Sequence, residues 1–255
     1  MVKNKKHSPL KNRPLRSSGQ SLDEKMRDIV YDLISYIFII FVFFIVALIE
    51  WTDKIFNKPP SPIIWTVIAV VASVYFMTKI IKLWTRFKNI KLGREGEKIV
   101  GQSLEKLREM GYEVFHDTVV GEIFNIDHVI IGPAGVFTIE TKTRSKLDGV
   151  QKIKRNGNYM IIDGLGIDRK TIFQSKLQAH WLEDFISSSI GLKIAVKPVV
   201  IFPDWFVEPQ PRGADVWILN QKALPSFLKN EGVVIDEDKI NLISAQIEKY
   251  NRDAK

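Results

Sequence analysis

Two carboxylates and an ammonium, Asp127, Glu140 and Lys142, fall within one short stretch of the chain and could together do metal-assisted chemistry. Side chains two apart on a strand share a face, so Glu140 and Lys142 point the same way. Gly132-Pro133-Ala134-Gly135 separates two β-rich runs, residues 125–131 and 136–143, and is strong turn chemistry. A turn centred on Pro133-Ala134 sets Ile131 opposite Val136, Val129 opposite Thr138, and Asp127 opposite Glu140. Directly opposed residues have Cβ atoms about 4.5–5.5 Å apart. Carboxylates that close and otherwise unpaired repel each other and stay partly protonated. A divalent cation removes the conflict, and both groups are hard oxygen ligands suited to Mg²⁺ or Mn²⁺. Lys142 beside the metal can steady a negatively charged transition state or help orient an attacking water. Such a set suits hydrolysis of a phosphodiester. The alternative is a surface salt-bridge cluster on a sheet face, which Glu-x-Lys alone does not exclude. A one-residue slip in the turn would carry Asp127 to the other face.

Neighbouring residues divide between structure and binding. His128 follows Asp127 on the same strand, points to the opposite face and reads as a packed or hydrogen-bonded histidine. Arg144, Lys146, Lys152, Lys154 and Arg155 follow the Glu-x-Lys strand. They form either a solvated hairpin or a surface for phosphate-backbone contacts. Gln174, Gln178 and Trp181 share one helical face, with Trp181 reading as core. Gly132 and Gly135 read as turn requirements.

The elements that must position this set form a mixed α/β pattern. An amphipathic helix over residues 92–112 ends at Gly111, and a strand over 112–120 follows. After the turn come a second hairpin with Asn156-Gly157-Asn158 at its tip and a long helix over 171–190. Asp168 is a possible cap for that helix, and Gly191 stops it. Runs 195–202 and 216–219 read as buried strands. Two small helices, near 222–229 and 238–250, close the chain.

The 255-residue chain carries a formal net charge of +8 and no cysteine, which excludes disulfides, thiolate metal sites and cysteine nucleophiles. Its apolar residues concentrate before residue 85. Residues 1–28 read as a basic, disordered arm and residues 29–84 as two membrane-spanning helices with a short connector. The run 33–49 is apolar but for Ser35, and its seventeen residues span roughly 26 Å. A second run, 63–77, is entered through Pro62, with Lys79 and Lys82 able to snorkel. Trp51, Trp65 and Trp84 lie near the ends of the runs, where indoles prefer the interface. Lys and Arg crowd the arm and the segment after the second run, whereas the connector holds only Lys54 and Lys58. Both termini are therefore expected in the cytoplasm, in a topology that suits a bacterial inner membrane. No small-residue cleavage site follows the first run, which argues against a signal peptide. Its lack of a polar face argues against a soluble core helix.

Gly93-Arg94-Glu95-Gly96-Glu97, the run Asn125-Ile126-Asp127-His128 leading into Gly132-Pro133-Ala134-Gly135, and Ile139-Glu140-Thr141-Lys142 resemble the nuclease-related domain. The resemblance covers about residues 90–205, with 206–255 as a C-terminal extension. That family is similar to the restriction-endonuclease-like superfamily, which implies a mixed sheet flanked by helices. It implies Glu97 as a carboxylate supplied by the first helix, with Glu95 as the competing choice. It also implies Asp127 and Glu140 as metal ligands, Lys142 as the catalytic lysine and Gln174 as a supporting glutamine. The expectation is a membrane-anchored, Mg²⁺-dependent endonuclease acting on DNA. The alternative is a non-catalytic, membrane-anchored module on the same fold that binds nucleic acid or protein.

Overall fold

The computed structural model describes residues 14–55, 62–121, 123–146, 152–211 and 213–253. Lys3, Lys5, Lys6, Lys11 and Arg13 of the arm, and Lys58 of the connector, lie outside the described residues. The chain divides into two compact units, Ser21–Leu92 and Met1–Gln20 with Gly93–Lys255.

The first unit is built on helices α1 (Gln20–Ile55) and α2 (Pro62–Glu105). Both are long and apolar enough to cross a membrane, and almost none of either apolar run is buried within the protein. Phe38 and Val71 are each 63% exposed, unlike side chains of a soluble core. Trp51 Nε1 donates to Thr66 Oγ1 at 3.0 Å, and the Tyr36 and Phe76 rings lie 5.4 Å apart, so the helices form a hairpin. The sequence reading ends the second apolar helix near residue 84 and starts another at 92. One continuous helix is found instead. No Gly or Pro interrupts residues 63–92, and the Lys, Leu and Arg after residue 78 are good helix formers. The composition changes there without any change in the backbone.

The second unit takes in residues 93–105 of α2, a tight 3-10 turn over Lys106–Met110, and Gly111 in the left-handed conformation, whose N–H reaches Arg108 O at 3.0 Å. The elements that follow are β1 (Glu113–Val120), β2 (Phe124–Gly132), β3 (Gly135–Thr141), β4 (Lys152–Asn156), β5 (Tyr159–Ile162) and β6 (Gly166–Asp168). The chain continues with α3 (Lys170–Ile190), β7 (Val196–Ile201), β8 (Phe206–Val207), β9 (Trp217–Leu219), α4 (Leu224–Glu231) and α5 (Glu237–Asp253). The main sheet has the order β1-β2-β3-β7-β9, with antiparallel pairs from β1 to β3 and parallel pairs beyond. A second sheet has the order β6-β5-β4-β8.

Helices cover both faces of the main sheet. Val100 and Leu104 of α2 pack with Ile130, Phe137, Ile139 and Leu228 of α4. Leu182 and Ile186 of α3 pack with Val129, Ile131, Val136 and Ile243 of α5. The second sheet closes over Ile153, Met160, Phe202 and Trp205. The expectation of a mixed α/β sheet flanked by helices, preceded by an apolar helical pair, therefore holds, and the arrangement is consistent with a nuclease-like fold.

Part of the arm lies among the described residues. Helix α1 begins at Gln20, and the described residues before it, 14–19, belong to the second unit. Arg16 Nε donates to Asp117 Oδ2 at 2.8 Å, and Ser18 Oγ donates to Glu97 O at 2.7 Å. The physical reason is Asp117, a carboxylate with a side chain only 3% exposed that needs a cation.

Candidate active site

The β2–β3 hairpin turns where the sequence puts it. Gly132 pairs with Gly135, Ile131 with Val136, Val129 with Thr138 and His128 with Ile139. The ladder stops there, one pair short of Asp127 and Glu140. In place of a further backbone bond, Asp127 Oδ2 accepts from the Thr141 N–H at 2.7 Å, which fastens the carboxylate to the end of β3. Gly135 has φ +123° and is a turn requirement, as expected. Gly132 is required for a different reason: a Cβ there would fall 2.2 Å from the Tyr112 ring.

Glu140 is 3% exposed and almost fully used by its neighbours. Its Oε1 accepts from Lys142 Nζ at 2.5 Å and from Gln174 Nε2 at 3.0 Å. Its Oε2 accepts from Gln178 Nε2 at 2.6 Å. Gln174 Oε1 in turn accepts from Lys142 Nζ at 3.3 Å, closing a small ring of contacts. The side chains of Gln174 and Gln178 meet Glu140 because they stand one turn apart on α3. The sequence reading left Gln178 out of the site, although its four-residue step from Gln174 carried the signal.

Glu97 stands on α2 where Gly96 allows the helix to approach the chain beyond β3. A Cβ on Gly96 would fall 1.7 Å from Thr143 Oγ1. Burial, followed by the charges of Glu140 and Glu97, pushes the Asp127 carboxyl well above the usual carboxylate range. The Thr141 N–H and Lys142 oppose the shift without cancelling it. Glu97 is thus a helix carboxylate whose charge reaches Asp127. Glu140, Lys142 and Gln174 are joined by hydrogen bonds, and Asp127 feels the charges of both Glu140 and Glu97.

Among the described residues, no three His, Asp or Glu side chains converge into a ready-made metal cage. Asp127 and Glu140 are the two that could hold an ion, with Glu97 near enough to act on Asp127 by charge. Mg²⁺ is commonly held by one or two carboxylates and keeps several waters. Among the described residues, the hydrogen bond to Asp127 falls on Oδ2 and none engages Oδ1. The donor set therefore fits a divalent cation, whose charge would offset the burial and repulsion that raise Asp127.

His128 is fully buried, with its Nδ1 2.8 Å from His116 Nδ1. His116 Nε2 lies 2.8 Å from Glu105 Oε1. Burial and then His116 hold His128 well below the ordinary imidazole value. It is a structural histidine and is not among the side chains around Glu140. Trp181 is partly buried, stacked on Phe185 with centroids 5.4 Å apart.

The five basic residues expected to meet nucleic acid have separate fates. Arg155 is used by structure: its guanidinium donates to Gly157 O at 2.9 Å, to Val216 O at 2.7 Å and to Asp215. Lys152 pairs with Glu208 at 2.6 Å, and Lys146 caps Asp204 O over the Trp205 ring. Lys154 is exposed, and its charge helps hold Glu208 low. Arg144 lines a cavity of about 870 Å³ with Lys142, Gln174, Arg169 and Lys170. Sequence reasoning missed Arg169 and Lys170. They straddle the start of α3, which Asp168 caps through Thr171 N at 3.0 Å and Thr171 Oγ1 at 2.8 Å.

Residues 92–203 match the family described as the nuclease-related domain. An uncharacterized protein of Bacillus anthracis is 43% identical over 54 residues, 20% of this chain and 26% of that protein. The chain thus aligns with about a quarter of that relative's length. No solved structure matches the chain. The stretch that matches the nuclease-related domain, residues 92–203, holds the acidic pair, its lysine and both glutamines.

Proposed function

We propose that this chain is a membrane-anchored, metal-dependent phosphodiesterase that cuts nucleic acid, with DNA as its substrate. One observation carries the reading: Asp127 is crowded by Glu140 and Glu97 beside Lys142, an arrangement that is costly without a cation. Nuclease-related domains point generally to divalent metals, and Mg²⁺ or Mn²⁺ would be held by Asp127 and Glu140, with Glu97 acting through its charge. Bound there, the ion would activate the attacking water and neutralise phosphate charge.

The chain's own residues do the rest. Thr141 fixes the Asp127 carboxylate through its N–H, and Gln178 fixes Glu140. Gln174 and Glu140 together aim Lys142 Nζ, whose charge stabilises the negative phosphoryl oxygens as the water oxygen bonds to phosphorus and the bond to the leaving oxygen breaks. The two apolar helices, with basic segments on both outer flanks, support an anchor in a bacterial inner membrane with both termini in the cytoplasm.

One observation favours a second reading, a non-catalytic module on a nuclease fold: both Glu140 oxygens already accept from side chains. Incubating the full chain in detergent with labelled oligonucleotides and Mg²⁺, beside a chelator control, separates the two. Cutting that the chelator stops supports the hydrolase. Binding that never leads to cutting supports the module.

A further inference from the structure

The cavity beside Lys142 has a composition that the hydrolytic site does not require. Its walls include Leu165 and Ile167 from the β5–β6 hairpin, which are 49% and 61% exposed. Its charged residues are Lys142, Arg144, Arg169 and Lys170 against one carboxylate, Asp168. Both oxygens of Asp168 are engaged by Thr171, and Arg144 approaches only to 3.6 Å. Burial alone would raise Asp168, yet the Thr171 bonds and the charges of Arg144 and Lys142 hold it low, so it is an anion that leaves cationic charge in excess.

That excess is suited to phosphates, but phosphates alone do not explain exposed aliphatic side chains in the same recess. A duplex presents its backbone to a protein surface and keeps its bases stacked inside, which would leave Leu165 and Ile167 against water. An unpaired nucleotide offers both kinds of surface, a phosphate and an apolar base face. The volume of about 870 Å³ lies in the range of small-ligand sites and suits a splayed nucleotide. A stacking surface is also built in: the Arg169 guanidinium lies over the Tyr159 ring, 5.5 Å from its centroid, and guanidinium planes receive unpaired bases.

We infer that the groove between the β5–β6 hairpin and the start of α3 receives an unpaired strand of nucleic acid next to the scissile bond, so that the substrate is single-stranded or locally opened. This rests on the hydrolase reading for its connection to catalysis, but binding can be tested without chemistry. The full chain in detergent, with chelator present, is titrated by fluorescence anisotropy against a labelled single strand and against the same sequence as a duplex. The expected result is tighter binding of the single strand, with Leu165→Ser/Ile167→Ser and Arg169→Ala/Lys170→Ala each weakening it about tenfold, an effect typical of losing one stacked base. Duplex binding should change much less in the Leu165→Ser/Ile167→Ser variant. Both aliphatic positions are solvent-exposed, so that variant is expected to fold, and circular dichroism checks it. Equal affinity for the two forms, or single-strand binding untouched by the hairpin substitutions, overturns the inference. Strand-selective, groove-dependent binding without Mg²⁺-driven cutting upholds it while ending the hydrolase reading.

Discussion

Gly96 and Thr143 touch so closely that a single added methyl would fall 1.7 Å from the threonine hydroxyl oxygen. This contact brings the helix bearing Glu97 against the end of the Glu-x-Lys strand. Gly96→Ala is therefore expected to destabilise the protein by about 1–3 kcal/mol, the usual cost of overpacking. Thermal or denaturant unfolding measures it. Pairing the change with Thr143→Gly, which clears the atoms in the way, should recover much of the loss. A Gly96→Ala protein as stable as the wild type would show that the helix does not need this approach.

Asp127 yields a prediction of opposite sign. Its folded pKa is raised, so between the unfolded and folded values the native state binds more protons than the unfolded state, and stability falls as pH rises through that window. Once ionised, the buried carboxylate is a burden on the metal-free protein. Asp127→Asn should melt higher than the wild type in chelator and lose the stabilisation that Mg²⁺ gives the wild type. Melting curves of both proteins with and without Mg²⁺ decide it, and a variant that melts lower in chelator contradicts the electrostatic account.

His128 gives a stability profile at mildly acidic pH. Its folded pKa lies below the ordinary 6.5, so as pH falls through 6.5 the unfolded chain gains a proton that the folded chain does not. Stability should fall by up to about 1.4 kcal/mol per pH unit from this group, until the folded imidazole itself protonates. Denaturant midpoints collected from neutral to mildly acidic pH read the slope. His128→Leu should flatten it, and an unchanged slope in that variant would assign the dependence elsewhere.

Arg16 tests whether the segment before the first apolar helix supports the second unit. Arg16→Ala takes a cation from a carboxylate that is 3% exposed, and breaking a buried pair typically costs about 3–5 kcal/mol. Adding Asp117→Asn should return part of that stability, since Asn tolerates the left-handed backbone at this position (φ +51°). An Arg16→Ala protein with wild-type stability would show that the arm does not support the fold.

The sequence made the hairpin register legible because Gly-Pro-Ala-Gly admits a narrow set of turns and the alternating apolar residues fix which side faces the core. Glu140 and Lys142 followed from strand periodicity, while Glu97 and Gln174 came only through family resemblance. What stayed hidden depends on contacts between distant segments. Gly96 against Thr143, Arg16 on Asp117 and Gln178 on Glu140 are separated by tens of residues and leave no local pattern. Strands β6 and β8 are three and two residues long, too short for periodicity to register. Arg155 looked like its basic neighbours, and only the carbonyls of Gly157 and Val216 identify it as structural.

The most direct test of the central claim is single-turnover cleavage of a labelled single strand by the full chain in detergent with Mg²⁺, comparing wild type with Lys142→Met and Glu140→Gln. Cutting is expected that chelator abolishes and that each substitution slows by at least about a hundredfold, the scale for losing one preorganised electrostatic group. Wild-type protein that binds the strand without cutting it, or variants that cut as fast as wild type, would contradict it.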